Sequence, residues 1–259
     1  MRPRVVIGYS CCPLTREAFE RAGVEAWTCD LLPARDGSLR HLQCDFWDIA
    51  HERWDGAVLH PMCTNLTVSA AWAFKDPDFI RYPGVGYHQK VKPGTLTGEA
   101  RREARREARA RDIDNFRRLE ALPYPKAMEN PGKSFLCSMH RRPDQCIQPH
   151  QFGDDASKET GLWLDRFPPL VLGERCAGRI VEWPKGSGKL VERWSNQTDS
   201  GQNNVTPSDD RWLDRSETYP GIAAAMGEQW GRWLSQNMGL NETRPRNCDM
   251  QMDLFGAAA

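Results

Sequence analysis

No apolar run in this chain approaches the roughly 18 residues that a membrane-spanning helix needs, and the mean hydropathy of -0.67 points the same way. Net charge is also missing. Thirty-five basic residues balance 35 acidic ones, so no global field recruits DNA or a membrane surface, and any basic patch is local. A disulfide framework is absent too. The nine cysteines are odd in number and scattered, which predicts thiols in a reducing compartment. MRPRVVIGYS runs directly into a strand-like segment with no secretory apolar region, so the expected location is cytoplasmic. What the chain does have is tryptophan, ten in all, five of them between Trp183 and Trp233.

The first sixty residues alternate regularly. RVVIGY (4–9) reads as a buried strand, followed by the short turn SCCP and a helical period over Leu14–Ala22 that Gly23 is placed to cap. EAWTCD (25–30) and LRHLQCD (39–45) read as short strands, each ending in an acid, and GAVLHP (56–61) as a fourth. Strands separated by crossovers predict an α/β fold with a mostly parallel sheet and right-handed connections. Ligands in such sheets bind beyond the carboxyl ends of the strands. Tyr9, Ser10, Asp30, Asp45 and Cys63 are all expected on that edge.

Residues 75–98 are rich in proline and glycine and read as one long loop, a length usually tied to function. A charged helix follows from Glu99, with Glu103–Arg106 and Glu107–Arg111 as neighbouring pairs on its surface. Six arginines against three glutamates over 99–111 leave excess positive charge, so a phosphate contact is the alternative to a merely solvated face. YPKAMENP reads as a strand ending at Glu129-Asn130-Pro131, and TGLWL (160–164) as another. The polar stretch 173–215 predicts a small β-rich appendage, and 216–238 an amphipathic helix returning to a core that spans 1–172. Residues 239–259 read as a disordered tail.

Asp30 follows Tyr9 at the spacing of an acid that accepts from ribose hydroxyls. SCCPLT, however, is not glycine-rich and offers no pyrophosphate cradle. A phosphate-free cofactor such as S-adenosylmethionine fits better than NAD or ATP. Cys63 follows Pro61 at the end of the fourth strand and precedes TNLTVS, whose hydroxyl and amide side chains are costly there unless they face a site. A lone cysteine is commonly a buried filler; this position argues for a nucleophile.

WDGAVLHPMCTNLTVS, AMENPGKSFL and QFGDDASKETGLWL together resemble the cytosine-C5 DNA methyltransferase family, most closely its short, divergent phage and prophage members. The family's Pro-Pro-Cys falls on Pro61-Met62-Cys63, and its Glu-Asn-Val on Glu129-Asn130-Pro131. The resemblance covers about residues 4–170 and returns at 215–234. It implies a Rossmann-like S-adenosylmethionine-dependent methyltransferase fold with helices on both sheet faces, and 173–215 as a target-recognition-like appendage. It also implies Cys63 as the nucleophile on cytosine C6, Glu129 as the partner of N3, and Lys158 in place of a family arginine. Cofactor contacts would come from Tyr9, Ser10, Asp30, Asp45 and Pro61, and the base pocket from Thr64, Asn65 and Asn130. The base would be flipped out of the DNA, with 64–98 as a lid over it.

Departures from the family pattern are Met62 for a proline, Pro131 for a valine, the missing arginine pair and the missing glycines around Gly8-Tyr9-Ser10. They motivate three rivals: a related pyrimidine-modifying enzyme acting on RNA, one using another donor, and a DNA-binding homologue that has lost catalysis. A Cys63–His60 hydrolase is a further alternative.

Two more constellations stand apart. Cys137, His140, Cys146 and His150 offer two thiols and two imidazoles that together suit a tetrahedral zinc site, set against a loop in which they coincide by chance. Near the end, Gln251-Met252-Asp253-Leu254-Phe255 resembles the pentapeptide with which bacterial proteins dock on the sliding clamp of replication, with Gln251, Leu254 and Phe255 as its anchors.

Overall fold

The computed structural model describes residues 2–68, 71, 98–204 and 218–237. The alternation of the N-terminal sequence becomes β1 (Arg4–Gly8), α1 (Leu14–Arg21), β2 (Glu25–Asp30), β3 (His41–Gln43), the short α2 (Phe46–Ile49) and β4 (Gly56–Leu59). After the long α3 (Gly98–Glu120) come β5 (Lys126–Pro131), α4 (Leu136–Met139), β6 (Gln145–Ile147) and β7 (Thr160–Asp165). Sequence reasoning missed α2, α4 and β6. Each is three or four residues long, too short to show a period.

Seven strands form one sheet in the order β3-β2-β1-β4-β5-β7-β6. The first five are mutually parallel, while β7 runs antiparallel to both β5 and β6. The fold is therefore α/β with a mostly parallel, mixed sheet, as expected. The inserted antiparallel strand separates it from the dinucleotide-binding order 3-2-1-4-5-6.

Period-two side-chain alternation puts a core on each face of the sheet. Val6, Ala57, Leu59 and Met128 pack with Phe46, Ile113, Phe116 and Leu119 of α2 and α3. Val5, Ile7, Val58 and Ala127 pack with Phe19, Ile222, Met226 and Trp230 on the other side. Helices thus cover both faces. The apolar stripe of α3 is confined to its second half; its first half carries the surface pairs Glu103–Arg106 and Glu107–Arg111 anticipated from spacing.

The last helical segment starts as α5 (Pro220–Ala225), passes through a π segment (Met226–Trp230) and ends as α6 (Gly231–Asn237). It crosses α1 so closely that a Cβ on Gly227 would lie 2.3 Å from the Ala18 backbone. Only glycine permits that approach.

Within 173–215, β8 (Arg179–Glu182) and β9 (Leu190–Arg193) form a separate two-stranded antiparallel sheet. Trp194 joins this appendage to the core by stacking on His150, with ring centroids 4.0 Å apart. No helix among the described residues is long and apolar enough to cross a membrane. The anchors Gln251, Leu254 and Phe255 and most of the expected lid lie outside the described residues.

Candidate active site

The parallel register aligns the carboxyl ends of β1, β2, β4 and β5, since Gly8 pairs with Cys29 and Leu59, and Leu59 pairs with Met128. The residues immediately after these strands therefore meet on one edge. Gly8 owes its identity to packing: a Cβ there would sit 2.6 Å from the Phe46 ring and 2.8 Å from Leu59. Tyr9 then turns the chain with φ +59°, in the left-handed region that non-glycine residues seldom occupy. Its ring lies against Phe46 and its hydroxyl accepts from Asn115 of α3 at 3.4 Å. The Ser10 hydroxyl accepts from the Cys12 amide, and the Ser10 amide donates to the Cys29 carbonyl. This turn is held by side chains and a strained residue where a glycine-rich loop would be held by backbone freedom.

Both acids stand at strand ends and both have local roles. Asp30 Oδ1 accepts from the Leu32 amide at 2.9 Å, and Leu31 beside it is exposed. Asp45 caps α2, accepting from the Trp47 amide at 2.9 Å, an arrangement that contributes about 1 kcal/mol to a helix.

The centre of the edge is the exit of β4. The His60 amide donates to the Gly8 carbonyl at 3.0 Å, extending the sheet by one residue. Pro61 is buried, and its carbonyl accepts from Asn130 Nδ2 at 3.0 Å, so β5 holds the start of the Cys63 loop. Cys63 is exposed, and its carbonyl accepts from the Leu66 and Thr67 amides, closing a turn. The Thr64 hydroxyl donates to the Met62 sulfur, and the Asn65 amide donates to Asp112 at 2.9 Å, fastening the loop to α3.

Glu129 lies next to this exit, with only 10% of its side chain exposed. Oε2 is 3.1 Å from His60 Nδ1, and Oε1 is 3.8 Å from Lys158 Nζ. Burial by itself would push the carboxyl up. His60, Lys158 and the Thr218 hydroxyl outweigh it and bring the pKa down to about 2. Glu129 is therefore a carboxylate at neutral pH. Two buried polar atoms on this stretch of edge have no hydrogen-bond partner among the described residues: His60 Nε2 and Asn130 Oδ1. Buried polar groups are rarely left so, and two together suit a polar ligand.

Sequence reasoning named Glu129, Asn130, Lys158 and Pro61, and the structure brings these four together. It missed Thr218, which sits just before α5 and carries no motif. The His60 ring, the base of the alternative Cys63–His60 hydrolase, faces Glu129.

Among the described residues no group of three His, Cys, Asp or Glu side chains is arranged to hold a metal. His140 contacts Glu120 at 2.7 Å, His150 is stacked on Trp194, and the Cys137 thiol donates to the Gly132 carbonyl. The four residues belong to α4, β6 and the turns around them, and the two histidines are engaged with different partners. No protein-family model matches the chain, and none of the curated proteins matches it.

Proposed function

We propose that this chain is a cytosine-C5 DNA methyltransferase with a Rossmann-like catalytic core. The observation that carries the reading is the pairing of a cysteine loop after β4 with a buried, ionised glutamate on β5. These stand side by side at the carboxyl edge of a doubly wound sheet, beside buried polar atoms without hydrogen-bond partners among the described residues. Cytosine C5 is a poor nucleophile. Addition of the Cys63 sulfur to C6 turns the ring into an enamine that is nucleophilic at C5. Glu129 accepts from the exocyclic amine and faces N3, where charge develops. Asn130 holds Pro61 and so fixes the start of the loop that carries the sulfur. The base has to leave the duplex to reach this edge.

The residues present fit S-adenosylmethionine better than a phosphate-bearing cofactor. Asp30, with one oxygen beyond its turn hydrogen bond, suits ribose hydroxyls. The exposed Leu31 suits the face of a heterocycle, Asp45 suits its amine, and no glycine-rich cradle is present for a pyrophosphate. When bound, this group supplies an electrophilic methyl.

The test is transfer of labelled methyl from S-adenosylmethionine to unmethylated DNA of mixed sequence, followed by nucleoside analysis. Label in 5-methyldeoxycytidine is the expected result. Label in RNA alone would move the substrate class, and label in neither would contradict the proposal.

A further inference from the structure

Resting on that function, we propose that His60 is the proton carrier of the site, loading Glu129 with the proton that N3 receives as Cys63 attacks C6. The need follows from electron balance. When the S–C6 bond forms, the C5=C6 pair becomes a C4=C5 bond and the C4=N3 pair moves onto N3, which takes a proton. On elimination of the thiolate the same proton leaves N3. A carboxylate held ionised at neutral pH can relay that proton but cannot store it.

Two proton-bearing groups contact Glu129: His60 Nδ1 on Oε2 and Lys158 Nζ on Oε1. Among the described residues, the carboxylate's other polar neighbours are the Thr218 hydroxyl on the segment before α5 and the adjacent Asn130 on β5. Imidazoles as a class exchange protons near neutrality, whereas ammonium groups hold theirs well above it. His60 is the group suited to give a proton up and take it back.

The other end of the ring supports this role. Structural histidines are fixed as one tautomer by the bond that the second nitrogen makes. His41 shows the pattern: Nδ1 is 2.9 Å from Thr28 Oγ1 and Nε2 is 2.8 Å from the Leu32 carbonyl. His60 Nε2 is out of solvent and has no hydrogen-bond partner among the described residues. None of those residues fixes the ring on that side as donor or acceptor. His60 acts through Glu129 and is a positioning and proton-supplying residue rather than one that touches the base.

The experiment is the pH dependence of kcat for methyl transfer by the full chain, wild type against His60→Asn and Lys158→Gln. An acid must be protonated to act, so a proton-supplying imidazole gives the wild-type profile a limb that falls toward alkaline pH. Asparagine keeps a donor toward Glu129 but carries no proton. His60→Asn is therefore expected to lower kcat by about 100-fold, to leave KM for DNA unchanged and to lose the alkaline limb. Lys158→Gln is expected to lower activity and keep that limb. Thermal melting identifies a variant that does not fold; His60→Gln then takes its place. A variant with wild-type kcat, or with the alkaline limb intact, overturns the proposal while leaving the methyltransferase reading standing. Absence of transfer by the wild type overturns both.

Discussion

Strand β5 buries a charge near each end, and the two are handled in opposite ways. Lys126 is fully buried and donates to Asp165 Oδ2 at 2.5 Å. Its partner sits directly opposite on β7, so one cross-strand bond within one sheet meets the need. Glu129, three residues on, draws its partners from the β4 exit, the turn before β7 and the segment before α5. Beside it, His60 Nε2 and Asn130 Oδ1 stay buried without hydrogen bonds among the described residues. A charge that only stabilises is matched locally; a charge whose partners come from several elements, beside unmatched polar atoms, is suited to a ligand.

That contrast breaks most sharply at the nucleophile. Cys63→Ala is expected to reduce methyl transfer by at least about a thousandfold, the scale of losing a covalent nucleophile, with the melting temperature unchanged because Cys63 is exposed. Glu129→Gln is expected to lower kcat by about 10²-fold to 10³-fold, measured under saturating DNA. Acid unfolding sharpens the same point. The folded pKa of Glu129 is about 2 against an ordinary 4.5, so its contribution to stability is full above pH 4.5 and is lost as pH falls from 4.5 toward 2. The Glu129→Gln variant lacks that dependence, which parallel urea titrations at several pH values would reveal.

At the other end of β5 the expectation reverses. Asp165→Asn leaves Lys126 buried without its counter-charge and is expected to cost roughly 2 kcal/mol of stability in denaturant unfolding, while methyl transfer per folded molecule is unaffected. Asp165 is partly open to solvent, which keeps the cost below that of a fully buried pair. The smallest effect belongs to Asp45→Ala. Loss of the α2 cap should cost about 1 kcal/mol, accompanied by weaker binding of S-adenosylmethionine in calorimetry if Asp45 also holds the adenine amine.

The sheet was legible because its first strands are apolar runs punctuated by short crossovers, so β1, β2, β4 and β5 could be read directly. The third strand came out shorter than its reading, with Cys44 and Asp45 passing into the cap of α2. Glu129, Asn130 and Lys158 were legible through motif order. The role of His60 was not: its neighbour in sequence is Cys63, and only the parallel pairing of β4 with β5 turns it to Glu129. The separate partners of His140 and His150 were equally hidden, because close spacing says nothing about which way a loop turns each side chain.

The central claim is that Cys63 bonds covalently to cytosine C6. It is tested most directly by incubating wild type and Cys63→Ala with S-adenosylmethionine and DNA carrying 5-fluorocytosine, then resolving the products under denaturing conditions. Fluorine at C5 blocks release, so a stable protein–DNA adduct with the wild type alone is the predicted result. Folded wild type that forms no adduct on single-stranded or duplex DNA across varied sequence contexts would contradict it.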